Sequence, residues 1–382
     1  MLFTAAILGI FVYGIIAAML GTILPDLSKK YSLSPKQNGN IALIQAIGLM
    51  IGSFFSGPLM DLYGKQLGML IGLGLVALAL LSLRSVKGYG PVATAMLVLG
   101  LGGGVLVSGA NGLNSEIASA LQTNTSSISN LLNLFFGLGG LVTPLIAANL
   151  FKSDSKKLTL FAAVLAVIAL AASVIAPYPP ASGKVSFNFK MATGLLTDPH
   201  LVLPALFLFL YVACEVGVWN WLARHLIAQG VPEKRAMTIL SLGFALGLIV
   251  GRVGISRVLV TVDPKTVLLG AAIAMALTTY LMLQSKNPTI AWIAIFLGGL
   301  AMAPVFPTTL GYVSDAFKAA GTEATALGIA ITAGWAGIVA SSPIIGGIAG
   351  DDPKGLKKAL LLLPAASVIM AVVAFVLPSL QK

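Results

Sequence analysis

Apolar residues in this chain come in long runs, separated by short polar stretches. A helix needs roughly 20 apolar residues to cross about 30 Å of hydrocarbon. Twelve runs reach that length, near residues 2–25, 37–60, 66–84, 91–115, 126–151, 158–177, 200–225, 236–257, 265–284, 289–315, 324–350 and 358–379. The connectors between them are brief and polar, such as Ser28-Lys29-Lys30 and Asp351-Asp352-Pro353-Lys354. The first run, Leu2 to Leu24, is too long for the apolar part of a signal peptide and has no charged segment before it, so it reads as the first membrane helix. The pattern predicts an all-α membrane protein with twelve transmembrane helices.

The longest connector, 178–199, carries Pro179-Pro180, Ser182-Gly183 and Lys184, a linker composition, and it falls at mid-chain. The runs on either side of it repeat one another. Gly52 and Gly247 are 195 residues apart, Gly102-Gly103 and Gly298-Gly299 are 196 apart, and Gly137 and Gly140 lie 197 before Gly334 and Gly337. A proline follows in each member of the last pair of runs, Pro144 and Pro343. Three pairs at nearly one spacing predict two pseudo-symmetric six-helix bundles, 1–177 and 200–382, as in many secondary transporters.

Composition excludes most other classes. The chain is 58% hydrophobic and 9% charged, against about 25% charged in an ordinary soluble domain. With a mean hydropathy of +0.98, much of the surface must be covered by the lipid bilayer. One cysteine, Cys214, rules out a disulfide framework, and two histidines, His200 and His225, argue against a metal centre. No cofactor and no enzymatic activity are expected. The net charge of +11 is scattered over short loops without a basic helix, which suits lipid headgroups rather than nucleic acid.

The connector after the second run reads Gly57-Pro-Leu-Met-Asp61-Leu-Tyr-Gly64-Lys65-Gln66. It resembles the loop signature of the major facilitator superfamily, with Leu62 and Gln66 in place of two arginines. The resemblance implies that Asp61, with Gly57, Gly64 and Lys65, gates the cytoplasmic ends of the helices. Three further stretches resemble fucose permease-like sugar:proton symporters: Leu210 to Leu222 around Glu215, Asn130 to Gly140, and Pro304 to Thr308. That branch implies both termini and the 178–199 linker in the cytoplasm, and a prokaryotic cytoplasmic membrane.

Glu215 is the only acidic residue well inside an apolar run. A carboxylate at mid-span is expensive unless it faces a cavity, a partner or a proton, so intramembrane acids are functional by default. Tyr211 and Trp219 lie four residues to either side and share its helical face. A hydroxyl, a carboxylate and an aromatic plane together suit a sugar, and the neighbouring Asn220 adds a donor and an acceptor. In the first half the polar candidates are uncharged: Gln45, Asn111, Asn114, Asn130 and Asn133. They read either as a wall that binds hydroxyl groups or as interhelical hydrogen bonds. Tyr13 and Trp335, also near mid-span, could stack on a sugar ring.

The family's proton symporters use acids in the first and fourth helices. Here Asp26 ends the first and Glu116 the fourth, which leaves Glu215 as the proton-coupling candidate, with sodium as the alternative ion. Arg252, near the end of the eighth run, is expected to snorkel to the surface. The family orientation puts eight of the 23 Lys and Arg residues inside and 15 outside, against the positive-inside rule. The expectation is a monomeric transporter of a sugar or sugar-like solute, working by alternating access with proton symport. Its rivals are an exporter or antiporter of amphiphilic or anionic molecules, and a non-transporting membrane sensor.

Overall fold

The computed structural model of the chain describes residues 1–151, 154–179, 193–285, 287–349 and 353–380. Most of the expected 178–199 linker therefore lies outside the described residues. Among the described residues every regular element is helical. The first half contains α1 (Leu2–Tyr31), α2 (Pro35–Tyr63), α3 (Lys65–Ser82), α4 (Tyr89–Gly112), α5 (Thr125–Asn149) and α6 (Ser155–Ile175). After Leu113, α4 continues as a short helix, Asn114–Ala120. The second half contains α7 (Pro199–Ala228), α8, α9 (Pro264–Gln284), α10 (Pro288–Met302, then Val305–Phe317), α11 (Glu323–Ala349) and α12 (Leu362–Val376, preceded by Pro353–Leu360).

Polar connector residues set where these helices begin, because the first turn of a helix leaves N–H groups without partners. Ser34 and Gln37 form a reciprocal capping box on α2, with Pro35 in the first turn. The carboxylate of Asp154 accepts from Lys156 N–H on α6, that of Asp198 from His200 N–H on α7, and Asn287 accepts from Thr289 N–H on α10.

Eleven of the twelve expected spans are helices long and apolar enough to cross a membrane. The twelfth, α8, comes in three pieces: Glu233–Ile239, a π-helical turn Leu240–Ala245, and Leu246–Val258. The apolar run 236–257 carries no hint of that π turn, since hydropathy does not register which carbonyl each N–H chooses.

The chain divides into two compact units. The first comprises Met1–Gln122, Leu132–Gly194 and Ser314–Thr332, the second Thr123–Leu131, Leu195–Val313 and Ala333–Lys382. The first turns of α5 thus group with second-half helices, and the α10–α11 connector groups with first-half helices. Within each unit the repeated glycines serve the same purpose. A Cβ on Gly52 would collide with the Leu101 carbonyl, locking α2 against α4, and one on Gly247 would collide with the Phe296 carbonyl, locking α8 against α10. Without a hydrophobic drive between helices in lipid, such close backbone approach supplies the packing energy.

Substituting either glycine should therefore be costly, because the obstacle is backbone and cannot rotate away. Overpacking typically costs about 1–3 kcal/mol. Gly52→Ala and Gly247→Ala should each lower the melting temperature of the detergent-purified protein. Gly74→Ala, with nothing within 4 Å of the added methyl, should not. Equal melting of all three variants and the parent would contradict this packing.

Candidate functional site

Two polar clusters stand out in the first unit. One surrounds Asp61, at the last turn of α2. Its Oδ1 accepts from Ala324 N–H at 3.1 Å, and its Oδ2 from Thr325 N–H at 2.8 Å and from the Thr325 hydroxyl at 2.5 Å. Asp61 thus caps α11, placing a negative charge where the helix dipole is positive. Gly57, one turn earlier, has no room for a Cβ against the α11 backbone at Ala324 and Thr325. Gly64 ends α2 at φ +93°, a conformation that L side chains rarely adopt. The signature spacing of Gly57, Asp61 and Gly64 follows from these three demands.

Lys65, the first residue of α3, completes the cluster. Its ammonium donates to Glu116 Oε1 at 2.5 Å, to Glu323 Oε2 at 2.7 Å and to the Gly112 carbonyl. Glu323 also accepts from the Ser314 hydroxyl, so one cation draws the ends of α3, α4, α10 and α11 together. Its aliphatic stem is largely buried, with 13% of the side chain accessible, which makes the pairs stronger than exposed ones.

The second cluster of this unit is a chain of amides. Asn111 Oδ1 accepts from Asn133 at 2.9 Å and from Asn114 at 3.3 Å, while the Asn111 amide nitrogen donates to the Val107 carbonyl. Asn111 and Asn133 are therefore occupied with each other across α4 and α5. Tyr13 stacks on Phe136, ring centres 5.3 Å apart, and is buried. Gln45 is buried to 7% exposure beside α4.

In the second unit α7 presents its stripe as expected. Tyr211 is fully buried, Glu215 is half-buried and Trp219 is exposed, so accessibility rises along the face. Glu215 is hydrogen-bonded toward Trp219 and lies within electrostatic reach of the Tyr211 hydroxyl and the Arg252 guanidinium. The Tyr211 hydroxyl itself makes no well-formed hydrogen bond. Trp219 meets Phe244, in the π turn of α8, edge to face at 5.2 Å. Asn220 is exposed but lies about 100° around the helix from the stripe. Trp335 on α11 packs at 6.4 Å from Phe306 on α10.

The Major Facilitator Superfamily profile matches residues 6–341. The chain belongs to the Major Facilitator Superfamily. It is a multi-span membrane transporter for a small-molecule solute, and not an enzyme. Its fold is that of the Escherichia coli fucose:proton symporter FucP, with a TM-score of 0.83, 17% identity, and 99% of this chain and 98% of that chain aligned. Among curated relatives it is 25% identical to Bypass of stop codon protein 6 of Saccharomyces cerevisiae, over 63% of this chain. The chain spans only about half (53%) of that relative's length. It is 22% identical to the TsgA homolog of Citrobacter koseri, over 76% of this chain and 74% of the relative.

Within this superfamily chain, three features depart from the sequence reading. Arg252 does not snorkel: it is 3% exposed. Its signal was the four-residue spacing Phe244, Leu248, Arg252, which continues a buried stripe. Glu116, which ends the fourth run, and Glu323, which the sequence did not single out, flank Lys65. Asn130 belongs with the second unit, where its amide donates to the Thr308 hydroxyl at 2.9 Å. It does not join the Asn111–Asn133 chain.

Removing the α11 cap should be measurable. Loss of a capping carboxylate costs about 0.5–2 kcal/mol. Asp61→Ala should lower the melting temperature, and Asp61→Asn, which keeps one acceptor oxygen, should recover part of the loss. An Asp61→Ala protein as stable as the parent would show that the cap contributes nothing.

Proposed function

We propose that the chain carries a sugar or similarly polar, hydroxyl-rich solute across the membrane by alternating access, with Glu215 as its principal binding group. One observation supports this above the others: Glu215 keeps accessible surface although it lies at the middle of α7. A carboxylate cannot face hydrocarbon at that depth at tolerable cost, so its open side faces water or solute. The Trp219 ring, 39% exposed one turn away, offers an apolar plane to the C–H face of a sugar. Tyr211, buried one turn before Glu215, backs this wall, Asn220 offers its amide beside it, and Trp335 supplies a second aromatic.

Of the first unit's amides within the spans, Gln45, Asn111, Asn114 and Asn133, Gln45 is the one with no side-chain hydrogen bond among the described residues, and we assign it to the solute. The Asn111–Asn133 hydrogen bond and the Tyr13–Phe136 stack hold the wall of the first unit in shape. Asp61, Gly57, Gly64 and Lys65 act as the gate at the far ends of these helices. Glu215 is also our candidate for proton coupling, and the fucose:proton symporter shares this fold. The reading places the protein as a monomer in a prokaryotic cytoplasmic membrane, termini inside, with halves 1–177 and 200–382 as the moving bodies.

Glu215→Gln preserves size and removes the charge. It should weaken sugar binding at least tenfold, measured by ligand-induced thermal stabilisation, in which a ligand at 100 times its dissociation constant adds about 2.7 kcal/mol. Undiminished stabilisation and uptake in the variant would remove Glu215 from the site.

A further inference from the structure

The glycine repeat shows what each half needs for packing, so a local departure from it calls for another explanation. Leu49 and Gly104 lie 195 residues before Phe244 and Gly299, the spacing that also separates Gly52 from Gly247. In both pairs the glycine leaves no room for a Cβ against its partner's carbonyl: Gly104 against Leu49 on α2, and Gly299 against Phe244 on α8. The same backbone contact is therefore made twice. In the first half a continuous α-helix with a leucine at that point makes it. In the second half the chain adds a π turn, Leu240–Ala245, and a phenylalanine within it. Neither addition is demanded by the contact of α8 with α10. Such turns are rare, and they concentrate at functional sites.

What Phe244 adds is its ring. That ring is fully buried and meets Trp219 of α7 edge to face, with centres 5.2 Å apart and planes at 78°. Its own support is rigid. The Phe244 carbonyl lies against Gly299, and Gly243 sits so close to α10 that a Cβ there would press on Trp292 at 3.0 Å and Ile295 at 3.2 Å. Trp219 is still 39% exposed, so the contact holds the indole while leaving part of it open. A large side chain that is free to turn loses rotamer freedom when a solute orders it. A ring already held loses little.

We propose that Phe244, carried on the π turn, is the positioning residue for Trp219, and that the plane it fixes selects a closed sugar ring over an open-chain polyol. This rests on the reading of Trp219 as the aromatic plane of a sugar site, and it narrows the solute class. The selection follows from rigidity on both sides. A pyranose presents a preformed patch of C–H groups that packs on a flat aromatic face. An open-chain polyol must fix several of its bonds to present a comparable patch, and it loses that freedom on binding. An indole able to tilt would follow the shapes of the polyol, and the difference between the two classes would shrink.

The test uses the full-length purified protein with glucose and galactose as ring sugars, and glucitol and galactitol as their open-chain counterparts. Ligand-induced thermal stabilisation gives the affinities. The parent should bind each ring sugar at least about tenfold more tightly than its polyol, the effect of fixing a few rotatable bonds. Phe244→Leu keeps an apolar side chain and removes the aromatic edge. It should weaken ring-sugar binding about three- to tenfold, the range that one aromatic pair supplies. Polyol binding should change by less than about twofold, the limit for uncoupled groups. A loss of general packing would weaken both classes alike. In a Trp219→Leu protein, Phe244→Leu should shift ring-sugar affinity by less than about twofold, because Phe244 acts only through Trp219. Equal weakening of both classes, unchanged binding, or equal weakening with and without Trp219 would overturn the inference and leave the Glu215 site standing. So would a parent that binds the polyols as tightly as the ring sugars. A parent that binds neither class would overturn the inference and the sugar reading together. Should Phe244→Leu fail to fold, Phe244→Met, flexible enough to fill the same space, takes its place with the same outcomes.

Discussion

Hydrocarbon supplies neither counter-ions nor hydrogen bonds, so every charge drawn into this chain's interior must be answered by another part of the same chain. The polar clusters are the answers to that demand. Lys65 is met by two carboxylates and a carbonyl, and Asp61 by the first N–H groups of α11. Each answer joins helices distant in sequence, and each names an attachment that movement must break or preserve. The charges are few, which makes each one informative.

Glycine distribution follows from the same solvent. Helices in lipid gain little by hiding apolar surface from one another, so they associate where their backbones can approach. The carbonyls of Leu101 and Phe296 occupy the space that side chains on Gly52 and Gly247 would need. The internal repeat survives in these glycines because a packing constraint tolerates no substitute, whereas lipid-facing positions accept any apolar residue.

The fold was legible because run length and glycine spacing are the direct imprint of the bilayer and of helix packing. The span 236–257 appears where α8 lies, and Gly57, Asp61 and Gly64 appear at the α2–α3 connector where the signature spacing put them. The stripe Tyr211, Glu215 and Trp219 also stood out, since three polar or amphipathic residues at four-residue spacing are conspicuous in an apolar run. Other features were hidden for identifiable reasons. The partners of Lys65 come from positions 116 and 323, and nothing local in either segment announces a contact so far along the chain. Arg252 was misjudged because its nearness to the end of a run suggested an exit to the surface, while the helical phase that turns it inward depends on α8 as a whole. Asn130 was grouped by chain position with Asn133, although three residues and a change of neighbours separate them.

The π turn at Leu240–Ala245 gives α8 a property that a uniform helix lacks. A wider turn absorbs one residue that would otherwise rotate everything downstream by about 100°. The segment before it, with Ala236 and Ile239 buried, and the segment after it, with Gly247, Gly251 and Arg252 buried, can therefore be indexed separately against their neighbours. Closing that turn to regular α-helix with every residue kept would rotate the following segment by about 100°, turning the guanidinium out of its buried position and carrying Gly247 off the Phe296 carbonyl. Ion placement and helix packing in this half of the protein thus share one mechanical setting, and no change to it can alter the first without disturbing the second.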